Sequence, residues 1–451
     1  MKFSLSKYGI FGIIALFFFV FVTIRIVEAK KPAPKPEEPL ELYDKNIVTT
    51  TPIGEIMRVW GSLGPDAGYE NIWNKEGERY KAVALGDIDA ISDQKELYAA
   101  SVNYICQGKG KNRECGYRIV VDVYRDGEPG IQLSSPEVWD RSCVNCELIL
   151  ADVCGDSDSE IILSTDHNVV VFGYDGTEIK QFAYKDNIGD GIFPEQKYWI
   201  YAMAVADIDA DSEDEILLGV NRSGYDDGYL FIYELEETST VELELPYSLE
   251  EVSNSHCPKG MRISSLGTGY DGEGNFKICA TAFELESEER IYKNYLLIWK
   301  LDEYLYLEGN FPIGGQTRSR FDLDVGDVLG GAGYSGDEIV LIRNDSQPGK
   351  LELYSLDGDY LYLEAPAFSE EASLNYVYIA DSDNDGSMEI VCVGGAAQET
   401  GKGGKGGTCG SYYYIEVFGV SDGSSPKIES EWWIIDGDRC QDEAPWDASI
   451  G

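Results

Sequence analysis

From residue 80 onward, short apolar runs alternate with acidic or glycine-rich breaks, and one pattern returns six times. Each unit opens on an apolar run, crosses an acidic loop and resumes in a second apolar run. The six are Ala84-Leu85-Gly86-Asp87 through Glu96-Leu97, Leu150-Ala151-Asp152 through Glu160-Ile161, Val205-Ala206-Asp207 through Glu215-Ile216, Ser265-Leu266-Gly267 through Ile278, Val325-Gly326-Asp327 through Glu338-Ile339, and Ile379-Ala380-Asp381 through Glu389-Ile390. The first loop position recurs at 87, 152, 207, 268, 327 and 381, a period of about 59 residues, close to that of large propeller repeats. An aromatic alternating run follows in the later units, as in Tyr229–Tyr233, Tyr295–Trp299, Lys350–Tyr354 and Tyr413–Phe418. A more polar run such as Val241–Leu245 ends the unit.

Four strands per unit with no helical period between them predict antiparallel meanders. A four-stranded sheet repeated six or more times closes most readily into a β-propeller, which leaves only short protected edges. The expected fold is therefore an all-β propeller of four-stranded antiparallel blades over residues 47–451. The runs at Glu55–Trp60 and Tyr69–Trp73 precede the first acidic loop and resemble the last two strands of a blade. A strand after Ile435 would complete that blade, giving seven; six blades with an N-terminal extension is the alternative.

Composition sharpens this. A hydrophobic share of 43% rules out a disordered acidic chain. The 81 acids against 36 Lys and Arg give a net charge of −45, which excludes nucleic-acid binding through a broad basic footprint. At the N-terminus, Lys2 and Lys7 precede an apolar stretch from Tyr8 to Ile24, then Val27-Glu28-Ala29, a small-x-small cleavage pattern. Residues 1–29 thus read as a cleaved signal peptide, or as an N-terminal anchor tethering the chain to a membrane through residues 8–26; both readings export the rest. Residues 30–46, rich in Lys and Pro, are expected to be a stiff linker.

The acids concentrate in the loops. Asp381, Asp383 and Asp385 alternate, Gly386 follows and Glu389 closes the run. Alternating carboxylates on a tight loop converge on one centre, as a hard cation taking six to eight oxygens requires, whereas zinc would call for His or Cys. This loop resembles the FG-GAP/VCBS type of calcium-binding repeat found in the integrin α propeller. The resemblance covers most of residues 80–435 and implies Ca²⁺ as the ion. It places ligands at Asp207, Asp209, Asp211 and Glu215 in the third unit, and at Asp152, Asp156, Asp158 and Glu160 in the second, where Cys154 takes the third position. The first unit has one extra residue and offers Asp87, Asp89 and Asp93; the longer fifth offers Asp327 and Asp337. In the fourth, Thr268 replaces the first Asp and no site is expected. The Phe-Gly element stands at Phe172-Gly173 and Phe418-Gly419, but the Gly-Ala-Pro element is missing. Without a cation, these Asp residues would be turn caps.

Ten cysteines in an exported chain suggest disulfides. Cys106 with Cys115 and Cys392 with Cys409 both flank loops between second and third strands. Cys257 with Cys279 is a further pairing, and Cys143, Cys146, Cys154 and Cys440 leave three possibilities. His167 and His256 fit no catalytic triad. Tyr412–Tyr414 with Trp432 and Trp433 read as inter-blade packing, or as a sugar-stacking platform.

Two function classes remain. One is an extracytoplasmic calcium-stabilised recognition or adhesion module for an extracellular protein or glycan. The other is a polysaccharide-active enzyme, a lyase or glycosidase, on a calcium-binding propeller. Both require export, so cell fractionation of the full chain should find it outside the cytosol; intact protein in the cytosol would overturn this.

Overall fold

The computed structural model describes residues 46–450, with the exception of connecting segments that include 89–94, 186–197, 236–242, 245–257, 331–334, 398–410 and 437–446. The expected signal or anchor and nearly all of the Pro-rich linker lie outside the described residues.

Among the described residues every regular element is a strand. Sheet A holds β1 (Asn46–Thr51), β2 (Ile56–Ser62) and β3 (Tyr69–Glu76). Sheet B holds β4 (Tyr80–Gly86), β5 (Glu96–Gln107), β6 (Glu114–Arg125) and β7 (Glu128–Ser134), with the two-residue β8 (Val138–Trp139) also paired to β6. Sheet C runs through β9 (Cys146–Ala151), β10 (Glu160–Thr165), β11 (Val169–Tyr174) and β12 (Ile179–Lys185). Sheet D is β13 (Tyr198–Ala206), β14 (Glu215–Arg222), β15 (Gly228–Leu235) and β16 (Leu243–Glu244). Sheet E is β17 (Met261–Tyr270), β18 (Phe276–Glu286), β19 (Ile291–Leu301) and β20 (Leu305–Thr317). Sheet F is β21 (Asp322–Gly326), β22 (Glu338–Arg343), β23 (Lys350–Ser355) and β24 (Tyr360–Pro366). Sheet G is β25 (Ala372–Ala380), β26 (Glu389–Ala397), β27 (Ser411–Ser421) and β28 (Lys427–Asp436). The last strand, β29 (Asp447–Ile450), returns to sheet A and pairs with β1, Ile47 opposite Ile450.

All seven sheets are antiparallel meanders. Their first strands touch in the order β4, β9, β13, β17, β21, β25, β29 and back to β4, so the sheets follow one another in a closed cycle. Seven apolar clusters lie between them, one at each junction of consecutive sheets. This explains why the second strands carry unbroken apolar runs. Ile161–Leu163, Ile339–Ile342 and Ile390–Val393 are fully buried, because a middle strand packed on both faces has no solvent side. Each such side chain removed from water contributes about 1.5–3 kcal/mol.

The aromatic runs behave as core. Tyr414 is fully buried, and Trp432 of β28 packs against Trp60 and Tyr69 of sheet A at 6.1 and 5.0 Å. Trp433 is exposed. His167 sits buried in the β10–β11 turn, its Nδ1 3.0 Å from the Tyr198 carbonyl oxygen and its ring on Trp199, a structural role.

The meander fixes which loops share an edge. Every first-to-second connection, and so every acidic loop, leaves one edge of its sheet; the second-to-third connections leave the opposite edge.

Cys106 and Cys115 face each other across β5 and β6 and form a disulfide. The expected equivalence with Cys392 does not hold. Cys392 carries no disulfide and is enclosed in sheet G between β25 and β27, where its neighbours across the register are Val377 and Glu416. Cys279 likewise carries none and is fully buried, and Cys143, Cys146 and Cys154 are not disulfide-bonded. Cys257, Cys409 and Cys440 lie outside the described residues. Non-reducing peptide mapping should recover the Cys106–Cys115 link, and Cys392 should accept a thiol label only after unfolding; a recovered Cys392–Cys409 peptide would contradict this arrangement.

Candidate metal centre

The acidic loops at 152, 207 and 381 have the same length, first Asp to closing Glu, and the same internal bonding. The residue after the first Asp dips into the core: Val153, Ile208 and Ser382 are buried. Its backbone N–H donates to the closing glutamate, over 3.1 Å from Val153 to Glu160, 2.8 Å from Ile208 to Glu215 and 2.6 Å from Ser382 to Glu389. In each loop the fifth-position carboxylate, Asp156, Asp211 or Asp385, accepts the N–H two residues on. The sixth position is left-handed in all three, at Ser157, Ser212 and Gly386 (φ 73°, 81° and 91°). Only Gly386 adopts this without a Cβ penalty.

The closing glutamates, the first residues of β10, β14 and β26, are 1–3% exposed. Burial, reinforced by the loop aspartates, pushes the carboxyls of Glu160, Glu215 and Glu389 up to about 7. Each therefore sits where a positive charge would be stabilising.

Two loops gather their acids. Asp381, Asp383, Asp385 and Glu389 each offer an oxygen, all within 4.8 Å of one another; Asp207, Asp209 and Glu215 do the same. Oxygens sharing one ion at 2.3–2.6 Å lie at most about 5 Å apart, so both groups fit a hard cation. Asp381 Oδ1 is buried and accepts no hydrogen bond. A buried carboxylate oxygen without a donor is costly unless a cation meets it. These residues can hold a metal ion.

The other expected ligands differ. Asp211 stands outside the tight group of its loop. In the loop at 152, Asp152 Oδ1 is also buried without a donor, but Asp156, Asp158 and Glu160 do not close into a group of three with it, the third position being Cys154. Asp87 lies at the end of β4, and Asp89 and Asp93 lie outside the described residues. Asp327 caps Gly330 N at 2.8 Å, while Asp337 turns to the neighbouring unit and accepts Tyr270 N at 2.7 Å. Neither belongs to a gathered group of acids.

Glu96 and Glu338, which were not among the expected ligands, begin β5 and β22 in register with the other closing glutamates. Glu338 is 2% exposed, accepts Val328 N and Leu329 N, and is raised to about 7, first by burial. Glu96 is paired with Arg125 and accepts the Tyr98 hydroxyl. The repeat alignment was the signal for Glu96; at 338 it does not say which of the adjacent Asp337 and Glu338 turns inward. In the fourth unit, Cys279 stands opposite Gly267 at the glutamate position, and β17 and β18 run on to a tight turn at 271–275. There Asp271 accepts the N–H groups of Glu273 and Asn275, and buried Lys277 lies among Asp271, Glu308 and Asp357.

A second set of carboxylates had no signal in the sequence. Asp322 and Asp324 of β21 accept Val377 N and Ile379 N of β25 at 3.0 and 2.7 Å, so side chains bridge sheets F and G. Burial raises them to about 6 and 7.

No family model matches the chain, and no curated protein matches it significantly. Solved structures similar to it include the rhamnogalacturonan lyase YesW, 14% identical with a TM-score of 0.32 over 75% of this chain and 66% of that one. The exotype rhamnogalacturonan lyase YesX is 11% identical with a TM-score of 0.35, over 86% and 75% of the two chains. The Bacillus licheniformis rhamnogalacturonan lyase PL11 is 13% identical with a TM-score of 0.31, over 70% and 64%. Similarity at this level places neither an activity nor a substrate on this chain.

The raised carboxyls set a pH dependence. Below their ordinary value near 4.5 both folded and unfolded chains are protonated; between 4.5 and about 7 the folded chain keeps protons that the unfolded chain has lost. Stability in chelator should therefore fall as pH rises through this window. Thermal unfolding between pH 4.5 and 7.5 checks it; a melting temperature that rises with pH would contradict the burial of these groups.

Proposed function

We propose that the chain is a seven-bladed β-propeller of the FG-GAP/VCBS type, stiffened by Ca²⁺ and serving outside the cytoplasm as a recognition module for a protein or glycan. The cyclic order of the seven sheets and the return of β29 to β1 support the propeller. The observation that carries the calcium reading is the convergence of Asp381, Asp383, Asp385 and Glu389 around the unbonded Asp381 Oδ1. An all-oxygen donor set suits Ca²⁺ over zinc, and four protein carboxylates suit it over magnesium, which keeps more water. The bound ion would keep Glu389 ionised and join the first two strands of its blade. The Cys106–Cys115 disulfide supports an oxidising compartment.

The same scaffold admits the alternative, a polysaccharide-active enzyme. The binding reading is preferred because the gathered carboxylates are accounted for as ion ligands, and His167 is bound up in a turn. A glycan array read for both binding and chain cleavage separates the two: shortened products would establish the enzyme.

Calcium dependence is tested by thermal unfolding of residues 40–451 with calcium and with chelator, together with metal counting. At a hundredfold excess over Kd, each occupied site should add about 2.7 kcal/mol. Asp383→Ala should remove one ion and leave that of the 207 loop. An unchanged melting temperature under chelation, with no calcium found by mass analysis, would reduce these aspartates to turn caps.

A further inference from the structure

The loop at 381 differs from its counterparts at one buried position. The residue after the first aspartate is apolar in the loops at 152, 207 and 327, namely Val153, Ile208 and Val328, so it can meet its closing glutamate only through its backbone N–H. In the 381 loop it is Ser382, fully buried, which gives Glu389 both its N–H, at 2.6 Å, and its hydroxyl, at 2.9 Å. Both bonds fall on Oε2. The same serine hydroxyl accepts from Tyr69 of β3, 313 residues away in the chain. A carboxylate has no proton to give, and a serine hydroxyl has only one. With Glu389 in the charged form that a cation requires, the bonds therefore run in one direction, from Tyr69 to Ser382 to Glu389. Donors aimed at a carboxylate in this way favour its charge.

Tyr69 is held where this row of bonds needs it. It follows the tight β2–β3 turn, closed by Leu63 N on Gly68 O at 2.8 Å, and stands opposite Ser62. Its ring lies 5.0 Å from that of Trp432 in sheet G. Gly68 lets the two approach, since a Cβ there would lie 2.4 Å from Trp432 Cδ1. Trp60 and Ile47 of sheet A complete the contact against Val391 and Ile415 of sheet G. Apolar packing thus sets where sheet A sits, and the Tyr69 hydroxyl adds a polar tie from it to a candidate ion ligand.

Sheet A is also where the ring is fastened. It pairs β29 with β1, segments some four hundred residues apart, and its junction with sheet G must form for the cycle to close.

We propose that Ser382 and Tyr69 are positioning residues that tie ion binding at the 381 loop to the docking of sheet A on sheet G. With the ion in place Glu389 is charged and holds Ser382, Ser382 holds Tyr69, and Tyr69 holds sheet A. Linkage makes the effect mutual: docking strengthens ion binding by the factor by which the ion strengthens docking. The 207 loop, with Ile208 in place of the serine, lacks this coupling. The proposal rests on the calcium reading of the loop.

The test measures calcium affinity one loop at a time, on the exported protein. Asp209→Ala leaves the 381 loop to be titrated, and Asp383→Ala leaves the 207 loop. Tyr69→Phe keeps the ring on Trp432 and removes only the hydroxyl. In the Asp209→Ala background it should weaken calcium binding about three- to tenfold, the range expected of one hydrogen bond. Ser382→Ala should weaken binding at least as much, and the double substitution no more than Ser382→Ala alone, because both act through one row of bonds. In the Asp383→Ala background Tyr69→Phe should change nothing. Hydrogen exchange of β2 and β3 reads the coupling from the other side: calcium should slow it in Asp209→Ala, and less so once Tyr69→Phe is added. Unchanged affinity in Tyr69→Phe, equal weakening at both loops, additive losses, or exchange indifferent to calcium would overturn the proposal. A protein that binds no calcium at either loop would take the metal reading down with it. Calcium bound equally well with and without the Tyr69 hydroxyl would strike the coupling alone.

Discussion

The constraint on which much of this structure depends is a buried carboxylate at the start of the second strand. In five of the six units a glutamate at that position is almost wholly removed from water. A charge so placed must be met, or it takes up a proton and its pKa rises. The units meet it differently. At 207 and 381 the loop gathers further carboxylates, which makes a cation the natural counter-charge. In the first unit the chain supplies its own, Arg125 against Glu96. The fourth unit drops the glutamate for Cys279 and buries Lys277 among acids two residues earlier. Guanidinium and ammonium are thus two answers to buried charge that the chain itself supplies, and the gathered loops could hold a metal ion as a third.

The loop geometry lets one carboxylate serve a turn and still face inward. One oxygen of a carboxylate caps the turn while another faces inward, as when Asp152 Oδ2 accepts Ser157 N and Asp152 Oδ1 remains buried without a donor. Turn capping and ion binding are therefore not competing descriptions, because the two oxygens of one carboxylate can serve both. At Ser382 the usual apolar anchor is replaced by a hydroxyl that donates to Glu389 and accepts from Tyr69 of sheet A. The 381 loop is thereby wired to the neighbouring sheet, which the 207 loop is not through its Ile208.

Much of the fold was legible because it repeats. The apolar–acidic–apolar unit located the first two strands of each repeat, and the alternating aromatic runs located β15, β19, β23 and β27. The 207 and 381 loops were legible as sites because their aspartates alternate without interruption. Three things were not. Glu338 hid behind Asp337, since spacing alone does not say which of two adjacent acids turns inward. Asp322 and Asp324 look like ordinary exposed strand acids until β25 is placed beside them. Cys392 and Cys409 flank a loop as Cys106 and Cys115 do, but flanking a loop does not make two residues face each other. Register decides that, and Cys392 stands opposite Glu416.

The return of β29 to β1 bears on how the chain reaches this state. Ile47 pairs with Ile450, so sheet A joins segments some four hundred residues apart. Contacts of such sequence separation slow folding, because chain entropy is lost before the contact rewards it. During synthesis sheets B to G can form in turn, each from local hairpins, while β1 to β3 wait with one edge of their sheet unpaired. Only β29, some four hundred residues after β1 in the chain, covers that edge. The molecule is therefore slow to close, and β29, four residues long, holds the latch.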